Sequence, residues 1–563
     1  MRFFYTIIFV AITVNQATAQ LNPYNYNNIK LSDDQKNIVV SAHALASDAG
    51  VQMLQLGGNA FDAAIATQLA LAVVYPGAGN IGGGGFLVAH TAKGENIALD
   101  YREVAPASAN KDMYLDDKGN PITLLSMQGH LASGVPGTVA GLFATLPYAK
   151  LPFTTLIAPA IKLAKEGFAV TAAQAADFNN SKAVFEKNNK QPVAFVKAIA
   201  WKAGDTLIQP QLAATLQRIS DFGLKGFYEG TTATMIVNAM QKNNGIISLS
   251  DLKNYTVKKR VVMKFGYKGY DIVTMPLPSS GGIILQQLLK MTALKNLASK
   301  PFQSTASVQL ITEAERLAFA DRAEYLGDPD FVKVPVTTLV SDGYLKKRIA
   351  NYTEGKPGKS SNTTAGIIKE SEQTTHISII DAAGNAVAVT TTLNDHFGSK
   401  TIIDGAGFIM NNEMDDFSVK PGVPNMYGAI GNDKNAIAPG KRMLSSMTPT
   451  IVLKNNQPFM VVGTPGGTTI PTSVFQTIVN VIDYKLSPQN AVNQPKFHHQ
   501  WLPDVVYVEN DYPQTTINNL TKMGYTVTVR GNIGRTELIV IDNKQKTVHA
   551  VADKRGDDDV RGY

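Results

Sequence analysis

The sequence predicts an α/β (α+β) fold, sheet covered by helices, from three observations. A β-hairpin is written into residues 374–393, helical stretches fill most of the chain up to about residue 330, and the last third turns β-rich. At 563 residues the chain exceeds one small core, so two or three domains or one large sheet-based unit are expected. Its 44% hydrophobic share is that of a soluble globular protein.

The N-terminus is of another kind. Met1-Arg2 leads into the mostly apolar run 3–14, and Ala17-Thr18-Ala19 puts small residues where a signal peptidase reads. Residues 1–19 are expected to be a secretory signal, cleaved before Gln20. The apolar core of about 12 residues falls short of the roughly 20 that span a bilayer. No later stretch is long enough either, so an exported protein, periplasmic or secreted, with no membrane span is expected. The absence of cysteine excludes disulfides and a lipidated thiol. A formal charge of +7 and a pI near 9.0 admit an anionic partner, but the basic residues are spread rather than clustered, and no nucleic-acid partner is expected.

Along the chain, 42–75 reads as strand then helix. Residues 48–56 are helical, Gly57-Gly58-Asn59 stops them, and 60–74 is an Ala-rich buried helix. Ile81-Gly82-Gly83-Gly84-Gly85-Phe86 then runs into a strand at 87–90. Such glycines could cradle phosphate, but the lysine and hydroxyl of a P-loop do not follow, and close backbone packing is the simpler reading. A strand at 97–102 ends on Arg102. Helices follow, among them 156–166 and 308–324, interrupted by a loop at Pro276-Leu277-Pro278-Ser279-Ser280-Gly281-Gly282 that enters a helix. Residues 352–373 are polar, rich in Gly, Pro, Ser and Thr, and read as a flexible linker that ends at Thr374.

The hairpin is the most informative stretch. Residues 374–380 alternate polar and apolar, Asp381-Ala382-Ala383-Gly384-Asn385 is turn chemistry, and 386–393 is β-branched and apolar. A loop centred on Ala383 pairs Ile380 with Ala386 and Thr374 with Thr392, whose Cβ atoms would then lie about 5 Å apart. One face carries Thr374, His376, Ser378, Ala388, Thr390 and Thr392, expected to serve chemistry; the other carries Ile377, Ile379, Val387 and Val389, expected to serve the core. One backbone cut before Thr374 would place a hydroxyl beside its own free α-amine, nucleophile and base in one residue. Without such a cut, strand propensity alone accounts for the threonines. Further strands are expected at 408–410, 450–453, 460–462 and 525–529.

Four motifs then fall in a fixed order: Thr374-Thr375-His376-Ile377-Ser378; Asn411-Asn412-Glu413-Met414-Asp415-Asp416-Phe417; Ser445-Ser446-Met447-Thr448-Pro449; and Gly463-Thr464-Pro465-Gly466-Gly467. With Asp100-Tyr101-Arg102-Glu103 upstream, the chain closely resembles the γ-glutamyltranspeptidases. The resemblance implies a four-layer αββα sandwich of the N-terminal-nucleophile (Ntn) hydrolase type. It implies a precursor cut between Gln373 and Thr374 into a large chain, 20–373, and a small catalytic chain, 374–563, that stay together as a heterodimer.

Site roles carry over residue by residue. Thr374 would attack the γ-carbonyl of glutathione or a related donor, Thr392 would orient it, and the Gly466 and Gly467 amides would hold the oxyanion. The donor's α-carboxylate would meet Arg102, Ser445 and Ser446, and its α-ammonium Asp416, Asn394 and Glu413. Many bacterial relatives carry glutamine where Glu413 stands. Residues 421–435 resemble a lid loop whose Tyr427 reaches Asn394. Water or an amino acid or peptide would accept the glutamyl group, and no cofactor or metal is implied. His498-His499, adjacent and so on opposite faces of a strand, is expected to be structural. Two rival readings stand: a cephalosporin acylase on the same scaffold, which takes glutaryl side chains without an α-ammonium, and a non-catalytic solute-binding protein, which predicts one uncut chain.

Overall fold

The computed structural model describes residues 22–360, 374–542, 545 and 547–563. The expected signal at 1–19, Gln373 and most of the expected linker lie outside the described residues.

Two seven-stranded antiparallel sheets face each other. The first runs Asp559–Gly562, Ile38–Ser41, Thr374–Ile380, Ala386–Thr392, Gly84–His90, Asn96–Asp100, Lys258–Arg260. The second runs Leu31–Asp33, Thr547–Val551, Glu537–Asp542, Gln457–Gly463, Thr450–Lys454, Tyr270–Thr274, Met263–Tyr267. Each sheet draws strands from both sides of residue 373.

Helices cover the outer faces, which completes the four layers. Ala44–Gln55, Ala60–Val74 and Phe153–Glu166 pack with Ile377, Ile379, Val387 and Val389 of the first sheet. Gly281–Leu294, Thr305–Tyr325 and Ile470–Ile482 cover the second. Between the sheets, Ile38, Val40, Phe86 and Val88 meet Val452, Met460, Val462 and Ile539 in one continuous core. An Ala-rich helix suits this place: Ala60–Val74 is buried at every residue, and a capping box from Asn59 and Asp62 closes its N-terminus.

Sequence and structure differ at several places, and the strand expected to end on Arg102 stops at Asp100, leaving Arg102 two residues past it. Both hairpin faces are buried, so the polar face serves the seam between sheets rather than chemistry along its length. There His376 bonds Thr390 Oγ1 at 2.8 Å and Ser378 Oγ at 3.2 Å, and Ser378 donates to the Glu537 carbonyl at 3.0 Å. Three strands, Lys258–Arg260, Met263–Tyr267 and Tyr270–Thr274, interrupt the stretch expected to be helical. Residues 408–410 form no regular strand, contributing a single bridge from Ile409 to Ile402. The described part of the expected flexible linker is tied down: Gly355 N donates to Gln309, Gly358 N to Glu313 and Ser360 N to Asp504, at 2.9, 3.1 and 2.8 Å.

Candidate active site

The hairpin register fixes the centre of the site. Thr374 pairs with Thr392, and Thr392 pairs in turn with Gly84 on the next strand. The glycine run is there for close packing. A Cβ on Gly83 would sit 2.1 Å from the Thr392 carbonyl, and one on Gly85 would sit 2.6 Å from that of Thr390. Asn80 pins the same strand end, its Nδ2 donating to Thr392 O at 2.9 Å and Thr391 Oγ1 at 3.2 Å. Thr392 Oγ1 accepts from Asn394 N at 2.8 Å.

A small pocket opens at this strand end. Its wall brings together Thr374, Thr392, Gly467, Arg102, Asn394, Glu413, Asp416, Tyr427, Ser445 and Ser446, residues from segments far apart in the chain. Gly466 sits one residue behind the wall, and Gln373 lies outside the described residues.

The charged end of the pocket is a buried cluster. Arg102, 1% exposed, is gripped by Glu413 and by Asp416 at 2.5 Å, with Glu103 at 3.8 Å. Cation and anion, expected at a fixed separation, are in direct contact. Burial works against the Arg102 charge, yet Glu413, Asp416 and Glu103 hold its proton more tightly than usual. Burial likewise pushes Asp416 and Glu413 above the ordinary carboxylate range, with Arg102 pulling the other way. Tyr255 Oη donates to the Arg102 carbonyl at 2.8 Å and fixes the backbone at this strand exit.

The Ser445-Ser446 segment is clamped to the loop that enters Gly281–Leu294. Ser445 O accepts from Ser280 N and Ser280 Oγ, both at 2.7 Å, and Ser445 N donates to Pro278 O at 2.9 Å. On the opposite wall, Gly466 has φ +138° and Gly467 φ +55°, backbone that side-chain-bearing residues avoid. Among the described residues neither amide donates a hydrogen bond. A Cβ on Gly467 would meet the Tyr427 ring at 2.9 Å, so this turn and the loop over the pocket are fitted to each other.

That loop lies folded down. Tyr427 Oη donates to the Asn394 carbonyl, and Asn394 itself holds φ +75°, a conformation asparagine tolerates. Met426 N donates to Asp415 Oδ2 at 2.9 Å, and Asn425 Nδ2 to Asp416 Oδ1 at 3.3 Å. Gln500 links lid to turn: its Nε2 donates to Tyr427 O at 3.0 Å while its Oε1 accepts from Thr468 Oγ1 at 2.5 Å.

Several of these residues escaped sequence reading. Arg322, which lines the pocket, sits within the helix Thr305–Tyr325, where an arginine normally reads as solvated. Its Nε donates to Ser280 Oγ at 3.2 Å, and burial lowers its pKa to about 10. Thr468 and Asn425 flank known motifs and could have been found by extending them, and Gln500 directly follows the His498-His499 pair; Asn80 gave no signal. His498 and His499 are buried and satisfied, by Thr472 and Gln500 and by Asp504 respectively, and the described residues hold no group of His, Asp or Glu suited to a metal.

Comparison with known proteins agrees with the geometry. The family model described as Gamma-glutamyltranspeptidase matches residues 46–563. A "Glutathione hydrolase proenzyme" of Escherichia coli is 44% identical over 535 residues, 94% of this chain and 92% of that protein. The cephalosporin acylase structure from Bacillus halodurans superposes with a TM-score of 0.82 at 26% identity, covering 97% of this chain and 98% of its own. A chain of Helicobacter pylori gamma-glutamyltranspeptidase superposes at 0.56 with 45% identity, covering 57% of this chain and 93% of its own.

Proposed function

The chain belongs to the gamma-glutamyltranspeptidase family, and from that premise we propose that Thr374, freed as an N-terminus, is the nucleophile of its pocket. The protein is a γ-glutamyltransferase and glutathione hydrolase made as an autoprocessed proenzyme of the Ntn-hydrolase fold. The observation that carries the residue assignments is the convergence of a cross-strand Thr374–Thr392 pair, a glycine turn and a buried Arg102 cluster on one pocket.

In the precursor, Thr374 Oγ1 attacks the Gln373 carbonyl; the peptide shifts to an ester, and water releases the new α-amine. The resulting chains, 20–373 and 374–563, remain a heterodimer because both sheets are built from both. In the mature site the α-amine, a group that ordinarily titrates at about 7.7–8.0, takes the Thr374 proton as Oγ1 attacks the donor's γ-carbonyl. Thr392 donates to Oγ1 and holds its direction. The Gly466 and Gly467 amides take up the negative charge of the tetrahedral intermediate. The leaving amine departs with a proton, and water or an amino-acid acceptor then resolves the acyl-enzyme.

Donor recognition needs an exchange at Arg102. The α-carboxylate displaces part of the Glu413 and Asp416 grip and gains Ser445 and Ser446, while the α-ammonium takes the released carboxylates. Asn394 and the Tyr427 lid close over it. Export, to the periplasm or beyond, fits the apolar leader in the sequence, and among the described residues no helix is long and apolar enough to cross a membrane.

The acylase reading is set apart by the acidic cluster, which a glutaryl group without an ammonium leaves unpaired. Turnover of γ-glutamyl-p-nitroanilide and of glutaryl-p-nitroanilide by the purified protein tests it. The γ-glutamyl compound is expected to be preferred at least tenfold, the value of about one charge-assisted hydrogen bond; equal or reversed preference overturns the assignment.

A further inference from the structure

Glu103 has no part in the chemistry so far, yet it is fully buried against the Arg102 cluster. With every carboxyl ionised, both Glu103 oxygens and Glu413 Oε2 have no hydrogen-bond donor among the described residues. Backbone crowds the place: a Cβ on Gly84 would sit 2.6 Å from Glu103 Oε2, and one on Gly134 3.0 Å from Glu103 Cβ. A buried carboxylate without hydrogen-bond donors is costly, and keeping a proton relieves it.

The Glu103 and Glu413 carboxyls converge on the same nitrogen, Arg102 Nη1, and both are buried. As two anions they repel; with one proton between them they become donor and acceptor. Arg102 decides where the proton rests. Its Nη1 is in contact with Glu413 but 3.8 Å from Glu103, which favours an ionised Glu413 and a protonated Glu103.

We propose that Glu103 is a neutral, proton-carrying donor to Glu413, a positioning residue that keeps Glu413 singly ionised and aimed at the donor's α-ammonium. This rests on the donor-binding reading of the pocket given above. Burial pushes Glu103 upward and Glu413 well upward, against the pull of Arg102. The remaining charges facing the pair are Asp416, with Arg322 beyond it. The hydroxyls of Tyr101, Tyr228 and Tyr255 stand on the Glu103 side, and Tyr427 and Asp415 stand on the Glu413 side. Burial raises all four tyrosines, so none ionises near neutrality.

At high pH the pair loses its proton. Arg102 is then held by one more anion, and an incoming α-carboxylate is opposed, so KM for the donor rises while kcat does not. Glutamine at 103 imitates the protonated acid, because its amide N–H can donate to Glu413 and cannot be titrated away.

The test compares the mature wild type with Glu103→Gln and Glu103→Ala on γ-glutamyl-p-nitroanilide across pH. Glu103→Gln is expected to keep KM within about threefold and to abolish the alkaline rise, while Glu103→Ala raises KM about tenfold, the loss of one charge-assisted hydrogen bond. A Glu103→Gln KM as high as that of Glu103→Ala, or an unchanged alkaline rise, overturns the proposal. Infrared difference spectra of the unliganded wild type give a readout independent of turnover. A protonated-carboxyl band that titrates in step with KM is expected, and its absence overturns the proposal even if neither variant matures. A wild type inactive on γ-glutamyl-p-nitroanilide would instead refute the donor reading itself.

Discussion

Thr374 and Thr392 are direct cross-strand partners at the open end of one hairpin, and the hydroxyl oxygen of Thr392 is already engaged by the Asn394 amide at 2.8 Å. In the proposed mature site the Thr392 hydroxyl donates its proton to Thr374 Oγ1. Thr392→Val keeps the shape and removes the donor. It is expected to lower kcat by about ten- to a hundredfold, one hydrogen bond plus an unsatisfied Asn394 N–H. Thr392→Ser should recover most of that loss, in steady-state turnover of chains first shown to be cleaved.

Asp416 is bonded to Arg102 at 2.5 Å and to Asn425 at 3.3 Å. Asp416→Asn keeps the shape and loses the charge that balances an α-ammonium. KM for γ-glutamyl-p-nitroanilide should rise at least tenfold, the range of a charge-assisted bond. KM for glutaryl-p-nitroanilide should change little. A parallel loss on both substrates would mean that Asp416 serves the fold rather than the ammonium.

Gln500 joins the lid to the glycine turn through Tyr427 O and Thr468 Oγ1. Gln500→Leu is expected to loosen the loop at 421–435, with earlier proteolytic nicking there and a KM several-fold higher, about 1 kcal/mol of lost hydrogen bonding. Limited proteolysis with and without L-glutamate reads this directly, because a bound product should protect the wild type more than the variant.

His376 is buried between the sheets, and that burial lowers its pKa to about 3 from the ordinary 6.5. The unfolded chain takes up this proton as pH falls through 6.5, while the folded one resists down to about 3, so the stability that neutral His376 contributes is lost as pH falls through that window. His376→Gln cannot titrate. The gap in melting temperature between wild type and variant should therefore narrow on acidification, by up to about 1.4 kcal/mol per pH unit in free energy. A gap that is constant from pH 7 to pH 5 would contradict a neutral buried His376.

What the sequence made legible was local. The hairpin register, the helix at Ala60–Val74 and the packing role of the glycines follow from turn chemistry, capping and the absent Cβ. The strands between 258 and 274 were hidden because charged residues punctuate them, and two of the three, Lys258–Arg260 and Met263–Tyr267, lie at sheet edges where some side chains stay exposed. The site was readable as motifs but not as contacts. Direct pairing of Arg102 with Glu413 and Asp416 depends on segments more than 300 residues apart, and the approach of Arg322 and Gln500 on segments tens of residues apart, that only the fold brings together. The tethered stretch 352–360 looked free for a similar reason: its partners Gln309, Glu313 and Asp504 are tertiary ones.

The central claim is that Thr374 is both the product of one cleavage and the nucleophile that follows. Denaturing mass spectrometry with N-terminal sequencing, on wild type and Thr374→Ala purified alike, tests it most directly. Two fragments from the wild type, the smaller beginning Thr374-Thr375-His376, and one intact, inactive species from the variant are predicted. An uncut active wild type, or a Thr374→Ala chain that still matures and turns over γ-glutamyl-p-nitroanilide, would contradict it.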